Sequence, residues 1–145
     1  LQTTEGNVIH YGFIEKFIDD LGKKYNIREI AFDRWGAVQM VQNLGEMGFT
    51  VVPFGQGFKD MSPPTKELMK LVLEKRIAHG THPVLRWMMD NIFIRTDPAG
   101  NIKADKEKST EKIDGAVAMI MGLDRALRCG LGSDSVYDSR GLLLI

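Results

Sequence analysis

Two short apolar runs, IREIAF at 27–32 and TVVPF at 50–54, lie either side of a helix-length amphipathic segment. Ile27, Ile30, Ala31 and Phe32 read as a buried strand. A helix follows from about Trp35 to Met47, with Val38, Val41, Gln42 and Leu44 setting its spacing and Gly48 ending it. The second run is β-rich, and Pro53 places it near its end or at an edge. Strand-to-helix steps in succession with short links argue for parallel strands joined by right-handed crossovers. The expectation is an α/β fold with strands 27–32 and 50–53 parallel and flanked by helices. Asp33 closes the first run, at the strand end where α/β sheets bind ligands. An ionised Asp is rarely buried without a partner, so packing explains it poorly. A helix N-cap explains it equally well, and this stretch alone leaves both readings open.

Composition narrows the class. The 145 residues suit one domain with an ordinary core, and 43% hydrophobic with 26% charged residues fits a globular chain. Lys+Arg and Asp+Glu are both 19, so no global basic field announces nucleic-acid binding, and any such contact must use a local patch. The single Cys129 excludes an intrachain disulfide and a cysteine-cluster metal site, and suits a reducing compartment. No apolar run reaches membrane-spanning length, and the first residues lack the pattern of a signal peptide. The missing initiator Met is expected of a fragment or of processing.

Elsewhere along the chain, residues 1–4 read as the tail of a strand and 5–7 as a turn. A helix is expected from Val8 to Gly22, capped by Asn7, with Ile9, Phe13, Ile14, Phe17, Ile18 and Leu21 on one face. Ser62-Pro63-Pro64 reads as a helix start with Ser as N-cap and Pro at N1, the helix running to Arg76 with Leu68, Leu71 and Val72 inward. Residues 83–91 read as a helix on Val84, Trp87 and Met88, 92–95 as a strand, and 97–101 as a turn. The run KADKEK at 103–108 reads as a charged loop. Ser109 or Thr110 caps a last helix to Arg128, with Ile113, Val117, Ile120 and Leu127 inward and Gly130 at C′.

Glu111 and Asp114 are spaced to share one face in the first turns of that helix. Favourable interaction with the helix dipole accounts for both acids without any function. It does not account for the small residues after Asp114, GAVA at 115–118, which let the helix approach a sheet closely and bring Asp114 towards a strand-end acid such as Asp33. Clustered oxygen ligands suit Mg²⁺ or Mn²⁺, and paired divalent ions drive phosphodiester hydrolysis.

The segments IAFDRWGAVQMVQNLGEMGFTVVPFGQG, MSPPTKEL and KSTEKIDGAVAMIMGLDRA resemble the nuclease domain of a tailed-phage terminase large subunit, the DNA-packaging motor, in the right order from about residue 3 to 128. The resemblance implies a ribonuclease H-like fold with a mixed sheet and acids on the first strand, at the end of the fourth strand and on the last helix. Asp33 matches the fourth-strand position and Asp114 the last-helix position. Some relatives carry His three residues before the last acid; Glu111 stands there, and its part as ligand or base stays open. In the intact protein two Mg²⁺ or Mn²⁺ ions are implied, held by Asp33, Asp114 and an upstream acid. Double-stranded concatemeric DNA is the implied substrate. The ATPase domain of the same intact chain, the small terminase subunit and the portal are the implied partners, in the host cytoplasm and with no membrane. The first-strand acid and its hairpin are expected upstream of Leu1, and no GxxxxGK[ST] loop is present. The expectation is thus an N-terminally truncated nuclease domain at 1–129 with a tail at 130–145, holding at most part of the metal site.

Among basic residues, Arg34 at the strand-end rim is a candidate phosphate contact, with an ion pair to Asp33 or Glu111 as the alternative. Lys103, Lys106 and Lys108 are weaker candidates, because Asp105 and Glu107 interleave with them. His10, His79 and His82 follow no ligand spacing, Trp35 and Trp87 are expected to pack, and Cys129 has no activating neighbour. Three rivals to an endonuclease remain. One is a catalytically incomplete docking module, whose tail meets a partner. A receiver-like domain is disfavoured by the missing N-terminal acidic pair, and an oxidoreductase by the missing third glycine after Gly55-Gln56-Gly57.

Overall fold

The computed structural model describes residues 10–34, 38–78 and 80–130. The expectations placed on residues 1–9, on Trp35, on His79 and on the tail after Gly130 lie outside them. The chain forms two compact units, Leu1–Phe54 and Gly55–Ile145.

In the first unit, α1 (Tyr11–Gly22) precedes β1 (Ile30–Asp33), α2 (Val38–Glu46) and β2 (Val51–Phe54). The strands pair in parallel, with Ile30 opposite Val51 and Asp33 opposite Phe54, as the short strand–helix–strand spacing requires. Pro53 is tolerated because no third strand pairs with β2 among the described residues. Gly48 ends α2 as expected: its φ of 91° is left-handed, and the Phe49 N–H returns to the Leu44 carbonyl. The apolar stripe of α1 is not a core face, since Phe13, Ile14 and Phe17 are exposed and no residue of α1 is buried. In α2 only Leu44 is buried, while Val38 and Gln42 stay exposed.

The second unit contains α3 (Phe58–Leu73), α4 (Pro83–Asp90), β3 (Ile94–Thr96), β4 (Ile102–Ala104) and α5 (Asp114–Gly130). Helix α3 packs on β4 and on α5, and α4 packs on α5. Its buried apolar residues include Met61, Leu68, Ile113, Ala116, Val117, Ile120 and Met121.

Helix α3 starts at Phe58 behind Gly57, four residues before the expected cap. Ser62 is not a cap; it is a buried residue of the helix, and its hydroxyl accepts the Ile102 N–H of β4 at 3.1 Å. The reason is burial. Met61, Pro64, Thr65 and Leu68 share one helical face, and withdrawing that face from water outweighs the two backbone donors lost to Pro63 and Pro64. The helix also ends earlier than expected, and Val72 is exposed. Helix α4 begins at Pro83, as expected, with the proline in its first turn where no N–H is missed, although Trp87 is exposed rather than packed.

Residues 102–104 form a strand rather than the start of a charged loop. They pair antiparallel with β3 across the expected 97–101 turn, Ile94 opposite Ala104. Alternation explains this: Ala104 is buried while Lys103 donates to the Gln56 carbonyl at 3.2 Å. The described strands therefore form one parallel and one antiparallel pair. The fold class is α/β, with a parallel pair flanked by helices.

The last helix starts at Asp114, not after Ser109 or Thr110, and its first bond runs from the Val117 N–H to the Ile113 carbonyl at 3.0 Å. Ser109 and Thr110 are engaged otherwise: Ser109 Oγ donates to the Asp105 carbonyl at 2.7 Å and Thr110 Oγ1 to Asn91 Oδ1 at 2.7 Å. Leu127 is exposed, so it is not on the inward face, and Gly130 is the helix's last residue rather than C′.

Candidate active site

Asp33 is the final residue of β1, half-buried, and Arg34 follows it on the exposed turn. The extended backbone of the IAF run places this acid at the carboxyl end of a parallel strand, the position where such sheets offer groups to ligands.

Asp114 opens α5 in the second unit. Its helix start is fixed by the residues around it: Ile113, Ala116 and Val117 are all buried. Gly115 lies against α4, where an added Cβ would stand 2.8 Å from Met88 Sδ, and its N–H points to that sulfur at 3.2 Å. The small residues do permit a close approach, and here it is to a helix. The Asp114 carboxylate itself points to water, with 62% of its side chain exposed, and Oδ1 accepts from Lys106 Nζ at 2.7 Å. That hydrogen bond, outweighing a small burial cost, holds the Asp114 carboxyl below the ordinary aspartate range, and the charges of Lys106 and Lys112 add to it.

Glu111 is exposed and precedes α5, so it does not share a helical face with Asp114 as the spacing implied. The early helix start assumed for Ser109 or Thr110 produced that error. Lys108 places its ammonium 5.4 Å from the centre of the Phe93 ring, a cation–π contact.

Sequence reasoning missed Asp105. It reads as one acid in a charged run, yet it is only 6% exposed. Oδ1 accepts the backbone N–H groups of Glu107 at 3.0 Å and Lys108 at 3.3 Å, and Arg95 Nη1 stands 3.8 Å from Oδ2. Oδ2 has no hydrogen-bond partner. The Ser109 N–H returns to the Asp105 carbonyl, and Ser109 Oγ accepts from the Phe93 N–H. Residues 105–109 are thus a pinned turn, with Lys106 exposed on it. An Asp followed four residues later by Ser, after an alternating strand, is the local signal that points to such a turn.

Among the described residues no group of three or more His, Cys, Asp or Glu side chains is placed to hold a metal ion. The structure brings Lys106 onto Asp114, and places Asp33 and Arg34 side by side at a strand end.

The family model for the terminase large subunit, endonuclease domain, matches residues 1–129. This chain belongs to that family. The large terminase subunit of Enterobacteria phage HK97 is 41% identical over 128 residues, 87% of this chain and 25% of the relative. Protein YmfN of Escherichia coli strain K12 is 31% identical over 129 residues, 88% of this chain and 28% of the relative. The crystal structure of the HK97 bacteriophage large terminase matches with a TM-score of 0.77 at 40% identity, over 86% of this chain and 26% of that one. The terminase nuclease domain described here therefore spans about a quarter of the length of these relatives. The ribonuclease H-like expectation agrees with this family. No helix among the described residues is long and apolar enough to cross a membrane.

Proposed function

We propose that this chain is the endonuclease module of a DNA-packaging terminase, cutting double-stranded concatemeric DNA in the intact protein by metal-dependent phosphodiester hydrolysis. Residues 1–129 form the module and 130–145 a C-terminal tail. The observation that supports the reading best is Asp114, a water-facing carboxylate on a rigid helix start that already holds a cationic group at 2.7 Å. Hard oxygen donors of this kind fit Mg²⁺ or Mn²⁺, which complete their shells with water and phosphate oxygens. Asp33 and Asp114 would hold the two ions together with a third acid of the intact protein. When bound, such ions supply an activated water and stabilise the leaving oxygen.

The chain's own groups then have simple tasks. Asp33 and Asp114 offer negative charge at fixed backbone positions. Arg34, Lys106 and Lys108 lie on exposed turns suited to sequence-independent phosphate contact, and an exposed Glu111 is in reach of bulk water for proton exchange. The ATPase domain of the intact protein, the small terminase subunit and the portal would complete the machine in the host cytoplasm.

Asp114→Asn in the intact protein tests the reading. Asn keeps the shape but loses the charge, so plasmid cleavage with Mn²⁺ should fall on the order of a thousand-fold, about 4 kcal/mol of barrier. ATP hydrolysis and the melting curve should hold. Near-normal cleavage would reduce Asp114 to a helix-dipole acid and leave the docking-module reading.

A further inference from the structure

We propose that an apolar groove on the second unit is the seat of this chain's own tail, with Leu142, Leu143, Leu144 and Ile145 as the docking segment. Two adjoining hollows make the groove. One, of about 450 Å³, lies among α3, α4 and α5 and is walled by Val72, Leu85, Met89 and Met119. The other, of about 290 Å³, shares Val72 and Met89 with it and adds Met69 and Leu73. The stripe of α3 that buries Met61 and Leu68 runs on into Met69, Val72 and Leu73. Leu73 is 80% exposed, so this end of the stripe has no cover among the described residues.

The tail has the matching chemistry. Leu142–Ile145 is an unbroken aliphatic run, and water disfavours such a run and an open apolar groove alike. The connecting residues 131–141 carry Asp134 and Asp138 against a single Arg140. Lys75 and Arg86 stand on the groove wall. Opposite charge beside an apolar contact fixes which way a segment lies.

Reach favours this occupant over one from solution. From Met119 to Gly130 along α5 is roughly 16 Å at 1.5 Å per residue. The connector from Leu131 to Gly141 has 11 residues, five of them Gly or Ser. A flexible chain of that length spans roughly 17–20 Å root-mean-square. A tether whose span matches its target gives close to the maximal effective concentration, of millimolar order for a short flexible linker. A separate partner must match that concentration to compete. Unseating the tail exposes the aliphatic run and the groove together.

The experiment is methyl NMR of the methionines in the 145-residue chain, with a nitroxide on Ser139→Cys in a Cys129→Ser background. The Met69, Met89 and Met119 methyl signals should weaken several-fold, equally at high and low protein concentration. Leu142→Asp with Leu144→Asp keeps the connector and sets two charges against an apolar wall, so the signals should recover. The same pair of changes without the nitroxide should shift those three methyl resonances. If an affinity of about 0.1 mM for the untethered segment is combined with a millimolar effective concentration, seated chains outnumber unseated ones roughly ten to one. Groove methyls that respond no differently to the wild-type and the doubly substituted tail would overturn the proposal. So would weakening that vanishes on dilution, or that passes from a labelled to an unlabelled copy in a mixture, since the groove would then take a second chain's tail.

Discussion

The two compact units treat apolar side chains differently. In Leu1–Phe54 the buried hydrophobic residues among those described are Leu44 and Phe54, and α1 turns Phe13, Ile14 and Phe17 to the surface. In Gly55–Ile145, by contrast, Met61 and Leu68 of α3 and four residues of α5 are withdrawn from water. Both units carry amphipathic helices of similar pattern. Periodicity says which face of a helix is apolar; only a facing element makes that stripe a core. The two proposed metal ligands therefore rest on unequal frames. Asp33 ends one strand of a two-stranded pair, whereas Asp114 heads a helix clamped by Ile113, Ala116 and Val117.

The sharpest way to break this contrast is a matched pair of truncations. Ile120→Ala, at a residue only 1% exposed, should cost about 2–5 kcal/mol in urea unfolding, from lost transfer energy plus the cavity. Ile14→Ala on exposed α1 should cost within about 0.5 kcal/mol. Equal losses would show that α1 is as much a core helix as α5.

Next in size is the link between α3 and the hairpin. Ser62→Ala removes the acceptor of the Ile102 N–H and leaves a donor stranded, so stability should drop by about 1–3 kcal/mol. Amide exchange should show Ile102 losing protection first. A neutral Ser62→Ala would restore Ser62 to an incidental helix residue.

That serine also shows where sequence stops being legible. Strands β1 and β2 were readable because apolar and β-branched residues leave few alternatives, and Asp33 at a strand end followed from them. Helix α4 was readable from the spacing of Val84, Trp87 and Met88. The start of α3 was not, because Ser-Pro-Pro is a strong local cap signal, and only the tertiary contact of Met61 and Ser62 overrides it. Strand β4 hid inside a charged run for the same reason: alternation over three residues is too short to read until β3 supplies the partner. At the candidate site, Asp114 was visible as a helix-start acid. The turn that seats Lys106 on it was not, since its organiser, Asp105, differs from its charged neighbours only in burial.

Gly115 gives a smaller effect with a sign that depends on its neighbour. Ala at a helical position gains up to about 1 kcal/mol in propensity, but its Cβ would meet Met88 Sδ at 2.8 Å. Overpacking costs about 1–3 kcal/mol where neighbours are rigid, but Sδ lies near the end of a flexible side chain that can shift, so the two effects should nearly cancel in Gly115→Ala. In a Met88→Ala background the same change should become stabilising, since the clash is gone and the propensity stays. A double-mutant cycle by thermal melts reads the coupling directly. Additive changes would mean that α4 yields freely and that Asp114's helix is less rigidly seated than the second unit's packing implies.

The smallest effect concerns the hairpin turn and depends on pH. Asp97 Oδ2 accepts from Asn101 Nδ2 and Oδ1 from the Asn101 N–H, both at 2.8 Å. The side-chain bond from Asn101, then its backbone N–H, holds the Asp97 carboxyl below the ordinary aspartate value. A depressed acid binds its proton more weakly in the folded than in the unfolded chain. Its contribution to stability is therefore complete above the unfolded value, about 3.9, and is lost as pH falls through the lower folded value. Asp97→Asn removes the titration and sets an amide against the Asn101 amide, donor against donor. The gap between wild type and variant should be constant at neutral pH and close only below about pH 4. Because the residue lies at the surface, the gap should be the least of those considered. Carboxyl NMR of Asp97 alongside melts at pH 7 and pH 3 decides it. An ordinary titration midpoint, or a gap that widens with acid, would show that the hairpin closes without this carboxylate and that its register depends on Ser62 and Ala104 instead.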